Sequence, residues 1–184
     1  PLCGQIIAEM FDDVGVPDGV FNLVQGFGDT GAAMVDDDRV RTVLFTGSAE
    51  VGHQIAEAVA GDPSKRAACE MGGKNAIVVT EEADLDIAVH AAVMSSFKTT
   101  GQRCVSSERL VVHTDVYDEF KQRFVEVAEE IAVGDPLETE TFMGPLIEAD
   151  HVDKVSSYND LARTEGVNVL VDRTDLPDAE IPDG

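Results

Sequence analysis

The sequence predicts an α/β fold with mainly parallel strands, and three observations lead to that class. Short runs of apolar residues, such as residues 76–79, are typical of buried strands. Longer segments repeat apolar residues every three or four positions, which indicates amphipathic helices. The two kinds of segment alternate along the chain, and such alternation is typical of a parallel sheet covered by helices.

The first part of the chain begins with a predicted helix over residues 2–14, and Pro1 suits its first turn. Residues 20–24 are predicted to form a short buried strand after a segment rich in glycine and proline. A second strand is expected at residues 40–45. The helix that follows it has Val51, Ile55 and Val59 on one face and is predicted to end before a glycine and a proline.

The second part continues the alternation, and its strongest signal is the helix over residues 85–97. Apolar residues fall there at i, i+3, i+4, i+7, i+8 and i+12, which defines one continuous face. The other predicted elements are strands at 65–69, 75–80, 109–112 and 167–171, and helices at 115–131 and 148–164. Two consecutive glycines within residues 70–74 let the chain change direction, so this segment is the expected seam between domains.

The charge of the chain excludes several classes of partner. It has 36 acidic and 13 basic residues, which give a formal net charge of −23. Such a field repels phosphate backbones and anionic membrane surfaces, so neither a nucleic-acid nor a membrane partner is expected. The apolar content of 43% and the clear periodicity indicate a folded chain with an acidic surface. We hypothesise a high-salt cytoplasm, where counter-ions screen the self-repulsion.

This hypothesis predicts that the protein becomes more stable as the salt concentration rises. Screening shortens the range over which like charges repel, and the folded state holds those charges closer together than the unfolded state does. Thermal unfolding measured across a series of KCl concentrations tests it. Maximal stability in low salt would show that the acidic surface has another origin.

The cysteines indicate the redox compartment of the protein, and the termini indicate whether the sequence is part of a longer chain. Cys3, Cys69 and Cys104 form no CxxC pair and leave one cysteine over, which suits a reducing interior. No apolar run reaches the ~18 residues that a transmembrane helix needs. The sequence begins at Pro1 instead of Met and ends in a turn-like run, so we expect a piece of a longer protein, whose true N-terminus would decide whether a signal peptide exists.

The segment Gly101-Gln102-Arg103-Cys104 supplies the candidate nucleophile. It places Cys104 between a helix pattern and a strand pattern, where backbone N–H groups and Arg103 or Arg109 would stabilise a thiolate. The alternative is that Cys104 is a small, buried apolar residue. Glu70, in a second glycine-containing segment, is a candidate base that activates water. Its alternative is an ion pair with Lys74 or Arg66.

Two further glycine-containing segments are candidates for phosphate binding. Residues 26–31 match G-x-G-x-x-G after a predicted strand, a weak pattern that an ordinary glycine turn also produces. Gly47 and Ser48 lie between a predicted strand and a helix start, where free N–H groups and the positive helix end would face a phosphate. Ser48 could equally cap the helix, and the two roles are compatible.

No metal site is expected from the sequence. The four histidines lack the spacing of metal ligands, such as H-x-x-x-H. The acidic runs at residues 36–38 and 81–82 lack the spacing of an EF-hand loop, so they are interpreted as solvated surface.

Four segments together resemble the aldehyde dehydrogenase superfamily in identity, order and spacing. They are Phe45-Thr46-Gly47-Ser48-Ala49-Glu50-Val51-Gly52, Glu70-Met71-Gly72-Gly73-Lys74-Asn75, Gly101-Gln102-Arg103-Cys104, and Gly134-Asp135-Pro136-Leu137 with Met143-Gly144-Pro145-Leu146-Ile147. The resemblance implies part of a Rossmann-like NAD(P)-binding domain over residues 1–71, followed by part of an α/β catalytic domain over residues 72–184. It also implies a cytoplasmic enzyme that acts on a small-molecule aldehyde and forms a homodimer or homotetramer.

The resemblance assigns a role to each matching position. Cys104 would attack the aldehyde carbonyl to form a thiohemiacetal, whose carbon would pass hydride to NAD or NADP and leave a thioester on Cys104. The backbone N–H of Cys104 would form half of an oxyanion hole. Glu70 would act as general base in hydrolysis of the thioester. The implied cofactor site is lined by Gly28, Gly31, Phe45, Gly47, Ser48, Val51, Met71 and Gly72, and the G-x-G-x-x-G match becomes a supporting wall.

The resemblance leaves three functions open. They are oxidation of an aldehyde or semialdehyde to the acid, formation of an acyl-coenzyme A, and nucleotide binding by a catalytically inactive fragment or homologue. Glu70 favours the first, because similar enzymes that transfer to coenzyme A often lack it. Family members are much longer, and neither the upstream asparagine of their oxyanion hole nor their downstream ribose-binding glutamate is identifiable here. The chain by itself is therefore expected to have little or no turnover.

Overall fold

The computed structural model describes residues 2–173, which alternate between helices and short strands. The predicted α/β class is confirmed, and the strands that form pairs are parallel. The expected place of Pro1 in a helical turn and the turn-like run at 176–184 lie outside the described residues. Contacts divide the chain into two compact units, of which the first ends at Met71 and the second begins at Gly72.

The first unit contains three helices and a two-stranded parallel sheet. Its elements are α1 (Leu2–Asp13), α2 (Gly28–Asp36), β1 (Thr42–Gly47), α3 (Ala49–Ala60) and β2 (Arg66–Met71). Helix α3 connects the two strands and packs against β2 through Gly52, which is buried. A Cβ at Gly52 would lie 2.5 Å from the sulfur of Met71, so only glycine lets the helix approach the strand this closely.

The strand predicted at residues 20–24 is wrong. These residues form turns and irregular backbone, and the ring of Phe21 packs on that of Phe11 in α1 with 4.6 Å between their centroids. A short apolar run predicts burial, but a strand also needs a hydrogen-bonding neighbour, and β1 and β2 pair with each other. Helix α2 was not predicted from the sequence.

The second unit contains a second pair of parallel strands and the main hydrophobic core. Its elements are β3 (Asn75–Val79), α4 (Leu85–Phe97), a 3-10 turn (Lys98–Gly101), β4 (Ser107–Val112), α5 (Thr114–Glu129) and α6 (Ala149–Thr164). The buried core consists of Val79, Val89, Ala92, Val93, Phe120 and Ile131. The periodicity of residues 85–97 therefore predicted correctly which face of α4 is buried.

Polar side chains mark two helix starts in this unit. The carboxylate of Asp84 accepts hydrogen bonds from the N–H groups of Asp86 and Ile87 at 3.0 and 3.2 Å, and thereby caps α4. The ring nitrogen Nδ1 of His113 accepts one from the N–H of Asp115 at 3.3 Å, at the start of α5. The His113 side chain is therefore the N-terminal cap of α5.

Two predictions for the end of the chain fail. Residues 167–171 form no strand. The helix predicted at 148–164 forms as α6, and such a helix is expected to bury its apolar residues. Val152, Val155 and Leu161 are instead each 46–49% exposed. Among residues 2–173 no other element packs extensively against α6, so its periodic apolar residues have no partner surface.

Candidate active site

Cys104 lies on a short loop between the 3-10 turn and the start of β4. Its thiol is free and exposed, so the interpretation of Cys104 as a buried apolar residue is wrong. The loop is closed by a hydrogen bond from the N–H of Ser106 to the carbonyl of Arg103 at 3.0 Å. Among residues 2–173, the N–H of Cys104 itself donates to no protein acceptor. An exposed sulfur therefore lies beside a free backbone donor.

A left-handed turn leads into this loop. Thr99, Thr100 and Gly101 have φ angles of 57°, 58° and 66°. Positive φ is unfavourable for a β-branched residue, so the surrounding contacts must hold this turn. One of them is the hydroxyl of Thr100, which donates to the carbonyl of Gly144 at 3.1 Å. This turn ends the long helical segment and brings Cys104 to the amino end of β4.

Side chains fasten the loop to the neighbouring strand β3. The side-chain amide of Asn75 donates to the carbonyls of Cys104 and Ser106 at 2.6 and 3.0 Å. The guanidinium of Arg109 donates to the carbonyl of Lys74 at 2.6 Å. Arg109, one of two cations expected to assist the thiol, is therefore engaged with the backbone.

Glu70 lies inside β2, whereas the sequence analysis placed it in a turn. The strand extends to Met71, and Glu70 stands opposite Thr46 of β1. Its side chain is exposed while those of Cys69 and Met71 are half-buried, as the alternation of a strand requires. The proposed ion pair with Lys74 is not formed, because the Lys74 ammonium pairs with Glu108 instead. Within residues 2–173 the Glu70 carboxylate has no ionic partner.

A groove of about 700 Å³ opens between α2, β1 and α3 in the first unit. It brings together four of the eight expected cofactor-binding residues, Gly28, Gly31, Phe45 and Val51. A Cβ added at Gly28 or Gly31 would meet no atom within 4 Å, so these glycines leave open space at the wall of the groove. Most of the other lining residues are small or apolar, which suits a flat aromatic group.

The other four expected cofactor-binding residues lie elsewhere. Gly47 and Ser48 follow each other at the carboxyl end of β1, and the Ser48 hydroxyl accepts a hydrogen bond from the N–H of Val51 at 3.3 Å as the cap of α3. A Cβ at Gly47 would lie 2.4 Å from the ring of Phe45. Met71 is half-buried against α3, and Gly72 begins the second unit.

The groove also contains residues that the sequence analysis missed. They are Ala32, Met34, Val35, Asp36, Val40, Thr42, Val43, Leu44, Gln54, Ile55 and Ala58. The small and apolar residues of α2 were the available signal, but they are too few to show helical periodicity. A groove between two helices and a strand becomes visible only when all three are placed.

Within the acidic run at residues 36–38, the charge of Asp37 is neutralised by the neighbouring Arg39. The Asp37 carboxylate forms hydrogen bonds at 2.7–2.9 Å with the backbone and guanidinium of Arg39, which lower the pKa of Asp37 well below its usual range. Within residues 2–173, no cluster of histidine, cysteine and carboxylate side chains could hold a metal ion. No helix in that range is both long and apolar enough to cross a bilayer.

Comparison with known proteins matches nearly the whole chain to one family. A model of the aldehyde dehydrogenase family matches residues 1–182. A betaine aldehyde dehydrogenase from Brucella anthropi is 41% identical over 169 residues, which cover 92% of this chain and 34% of that protein. The chain therefore spans about a third of the length of the curated relatives it matches.

Solved structures give the same result for the fold. HpcC from Thermus thermophilus superposes with a TM-score of 0.86 at 40% identity, over 91% of this chain and 32% of that one. A 1-pyrroline-5-carboxylate dehydrogenase from Thermus with bound NAD superposes with a TM-score of 0.83 at 37% identity, over 89% of this chain and 33% of that one.

Proposed function

Because the chain belongs to the aldehyde dehydrogenase family, we propose that the protein oxidises an aldehyde or semialdehyde to the carboxylic acid, with NAD or NADP as hydride acceptor. The observation that carries this proposal is Cys104, whose exposed thiol lies before β4 beside its own backbone N–H, a donor with no acceptor among residues 2–173. The thiol supplies a nucleophile, and the N–H supplies a donor for the oxygen anion that forms when a carbonyl is attacked.

The reaction proceeds in two stages on Cys104. The thiolate attacks the carbonyl carbon of the aldehyde and forms a thiohemiacetal, whose oxygen anion is stabilised by the N–H of Cys104. Loss of hydride from the thiohemiacetal carbon leaves a thioester on the sulfur. Glu70 then removes a proton from water, the hydroxide attacks the thioester, and the acid leaves as the thiolate is regenerated.

The groove of the first unit fits the nucleotide part of the cofactor. Its apolar walls and the open space beside Gly28 and Gly31 suit an adenine ring held between two helices. The start of α3 at Gly47 and Ser48 offers backbone N–H groups and the positive end of the helix to a diphosphate. This arrangement needs no lysine, which agrees with the strongly acidic composition. When bound, the cofactor supplies the hydride acceptor.

The proposal also covers the roles of the two units, the fate of the thioester and the oligomeric state. The unit that ends at Met71 would be the Rossmann-like cofactor-binding part, and the unit that begins at Gly72 the catalytic part. Hydrolysis is favoured over acyl transfer to coenzyme A because Glu70 is present, exposed and free of an ion pair among residues 2–173. We also propose that the complete protein is a homo-oligomer.

The direct test uses the complete reading frame that encodes this chain. The purified protein is mixed with NAD or NADP and with a panel that contains betaine aldehyde, a semialdehyde and a simple aliphatic aldehyde. We expect reduced cofactor to appear with at least one of them, together with one equivalent of acid. Absence of reduced cofactor with the whole panel contradicts the proposal, and a product that requires coenzyme A favours the acyl-transfer alternative.

Replacing Val51 by tryptophan tests the cofactor groove in the same assay. The larger side chain would fill the groove, so we expect the Kd for the cofactor to rise at least about tenfold, equivalent to ~1.4 kcal/mol of binding free energy. Titration calorimetry measures it. Glu57→Trp is the matched control, since Glu57 lies on the same helix but not in the groove. Equal affinities of Val51→Trp and the wild type would place the cofactor elsewhere.

A further inference from the structure

The side-chain amide of Asn75 joins two backbone carbonyls of the loop that carries Cys104. The amide nitrogen lies 2.6 Å from the carbonyl oxygen of Cys104 and 3.0 Å from that of Ser106. Both partners are acceptors, so only the NH2 group of the side chain can face them, and it uses both of its hydrogens. Asn75 therefore spans the loop on both sides of Val105.

Asn75 lies next to a β-bulge, where the pairing of β3 with β4 shifts by one residue. Asn75 pairs with Ser107, but the next residue of β3, Ala76, pairs with Arg109, so Glu108 is an extra residue on β4. Such bulges recur next to active sites, where they redirect a side chain. Here the ammonium of Lys74 pairs with Glu108, and the Arg109 guanidinium donates to the carbonyl of Lys74. These contacts from β4 hold the start of β3, where Asn75 lies.

Apart from the bonds of Asn75, the loop is held by two backbone hydrogen bonds, from the N–H of Gln102 to the carbonyl of Thr99 and from the N–H of Ser106 to the carbonyl of Arg103, each at 3.0 Å. Residues 102–106 lie between a left-handed turn and β4, outside any helix or strand. Removing two hydrogen bonds from such a segment would let the peptide groups around Cys104 rotate. The direction of the thiol and of the adjacent N–H depends on those rotations.

We infer that Asn75 is a positioning residue, which acts through Cys104 by holding its loop in the conformation that attacks the aldehyde. The inference rests on the proposed function, because it concerns the same nucleophile. Attack requires the sulfur and the oxyanion donor to be aligned with the carbonyl, and small misplacements of reacting groups cost about a hundredfold in rate. The groove proposed for the cofactor lies in the first unit, and Asn75 is not among the residues that line it.

The experiment compares three variants of the complete protein, Asn75→Ala, Asn75→Asp and Ser95→Ala. Aspartate keeps the shape of asparagine but replaces the donor by an oxygen, so it separates hydrogen bonding from packing. Ser95→Ala is the structural control. It removes a hydroxyl that bonds the hydroxyl and N–H of Ser107 at 2.8 and 3.2 Å, at the same end of the sheet but outside the Cys104 loop.

We expect kcat to fall about tenfold to a hundredfold in both Asn75 variants, with the KM for the cofactor unchanged and Ser95→Ala close to wild type. Amide hydrogen exchange measured by mass spectrometry should accelerate at residues 102–106 in the Asn75 variants and remain unchanged in β3 and α4. A kcat within about twofold of wild type in Asn75→Asp overturns the inference. So does exchange that accelerates equally throughout the second unit, because that shows a general loss of stability.

The two proposals fail in different ways. A wild-type protein that oxidises none of the aldehydes overturns the proposed function, whatever the exchange data show. An active wild type with an active Asn75→Asp variant leaves the proposed function intact and overturns only the role of Asn75.

Discussion

Replacing Cys104 by serine in the complete protein is expected to lower kcat/KM for aldehyde oxidation by at least about a thousandfold. A serine hydroxyl in the same position is a far weaker nucleophile than a thiolate, and among residues 2–173 the Cys104 side chain forms no hydrogen bond to a general base that would activate it. The measurement is the absorbance of reduced cofactor under single-turnover and steady-state conditions. Cofactor affinity should not change, because the groove that we propose for the cofactor lies in the first unit and does not include Cys104.

Cys3→Ser is the matched control for this experiment. Cys3 is also a free, exposed cysteine, but it lies on α1 of the first unit. Its replacement should leave the rate within about twofold of wild type, as is usual for surface positions away from a site. If Cys104→Ser oxidises the aldehyde at the normal rate, Cys104 is not the nucleophile.

Replacing Glu70 by glutamine is expected to separate the two halves of the reaction. Without a carboxylate to activate water, steady-state turnover should fall by about a hundredfold to ten-thousandfold. Formation of the thioester does not need this base, so one equivalent of reduced cofactor should still appear in a rapid burst. Stopped-flow absorbance measures the burst, and intact-protein mass spectrometry should detect the acyl group on Cys104.

The control for Glu70→Gln is Glu57→Gln on α3 of the same unit, which removes an exposed carboxylate without touching β2. It should retain both burst and turnover. Loss of the burst in Glu70→Gln would show that Glu70 acts before thioester formation, and normal turnover would show that another group activates the water.

Local patterns predicted the elements between residues 75 and 131 of the second unit well. The spacing of apolar residues in 85–97 identified α4 and its buried face, because packing against a core imposes the helical period on the sequence. The glycine-led segment before Cys104 was identified for a similar reason, since Gly101 has a positive φ of 66° and a Cβ there would lie 2.9 Å from the carbonyl of Ser96. In both cases a local structural requirement, the buried helix face or the positive φ, restricts which residue type can stand at a position, so the sequence shows it.

Strand pairing and helix packing depend on distant parts of the chain, so they are harder to predict from the sequence. The apolar run at 20–24 predicted a strand, but which segments pair is decided by other parts of the chain. Helix α6 shows a periodic apolar stripe that no described element covers. Glu70 proved to lie inside β2, because pairing with β1 carries the strand through Met71. None of these outcomes could be read from spacing alone.

The sequence by itself determined the α/β class, the resemblance to aldehyde dehydrogenases, and Cys104 and Glu70 as the candidate catalytic residues, since each depends on residue type and order along the chain. Only the tertiary structure showed that Asn75 spans the Cys104 loop, that Lys74 pairs with Glu108, and that α2, β1 and α3 enclose a groove. These contacts join residues far apart in sequence, and an amide, an ammonium or a small side chain has many partners that local spacing cannot distinguish.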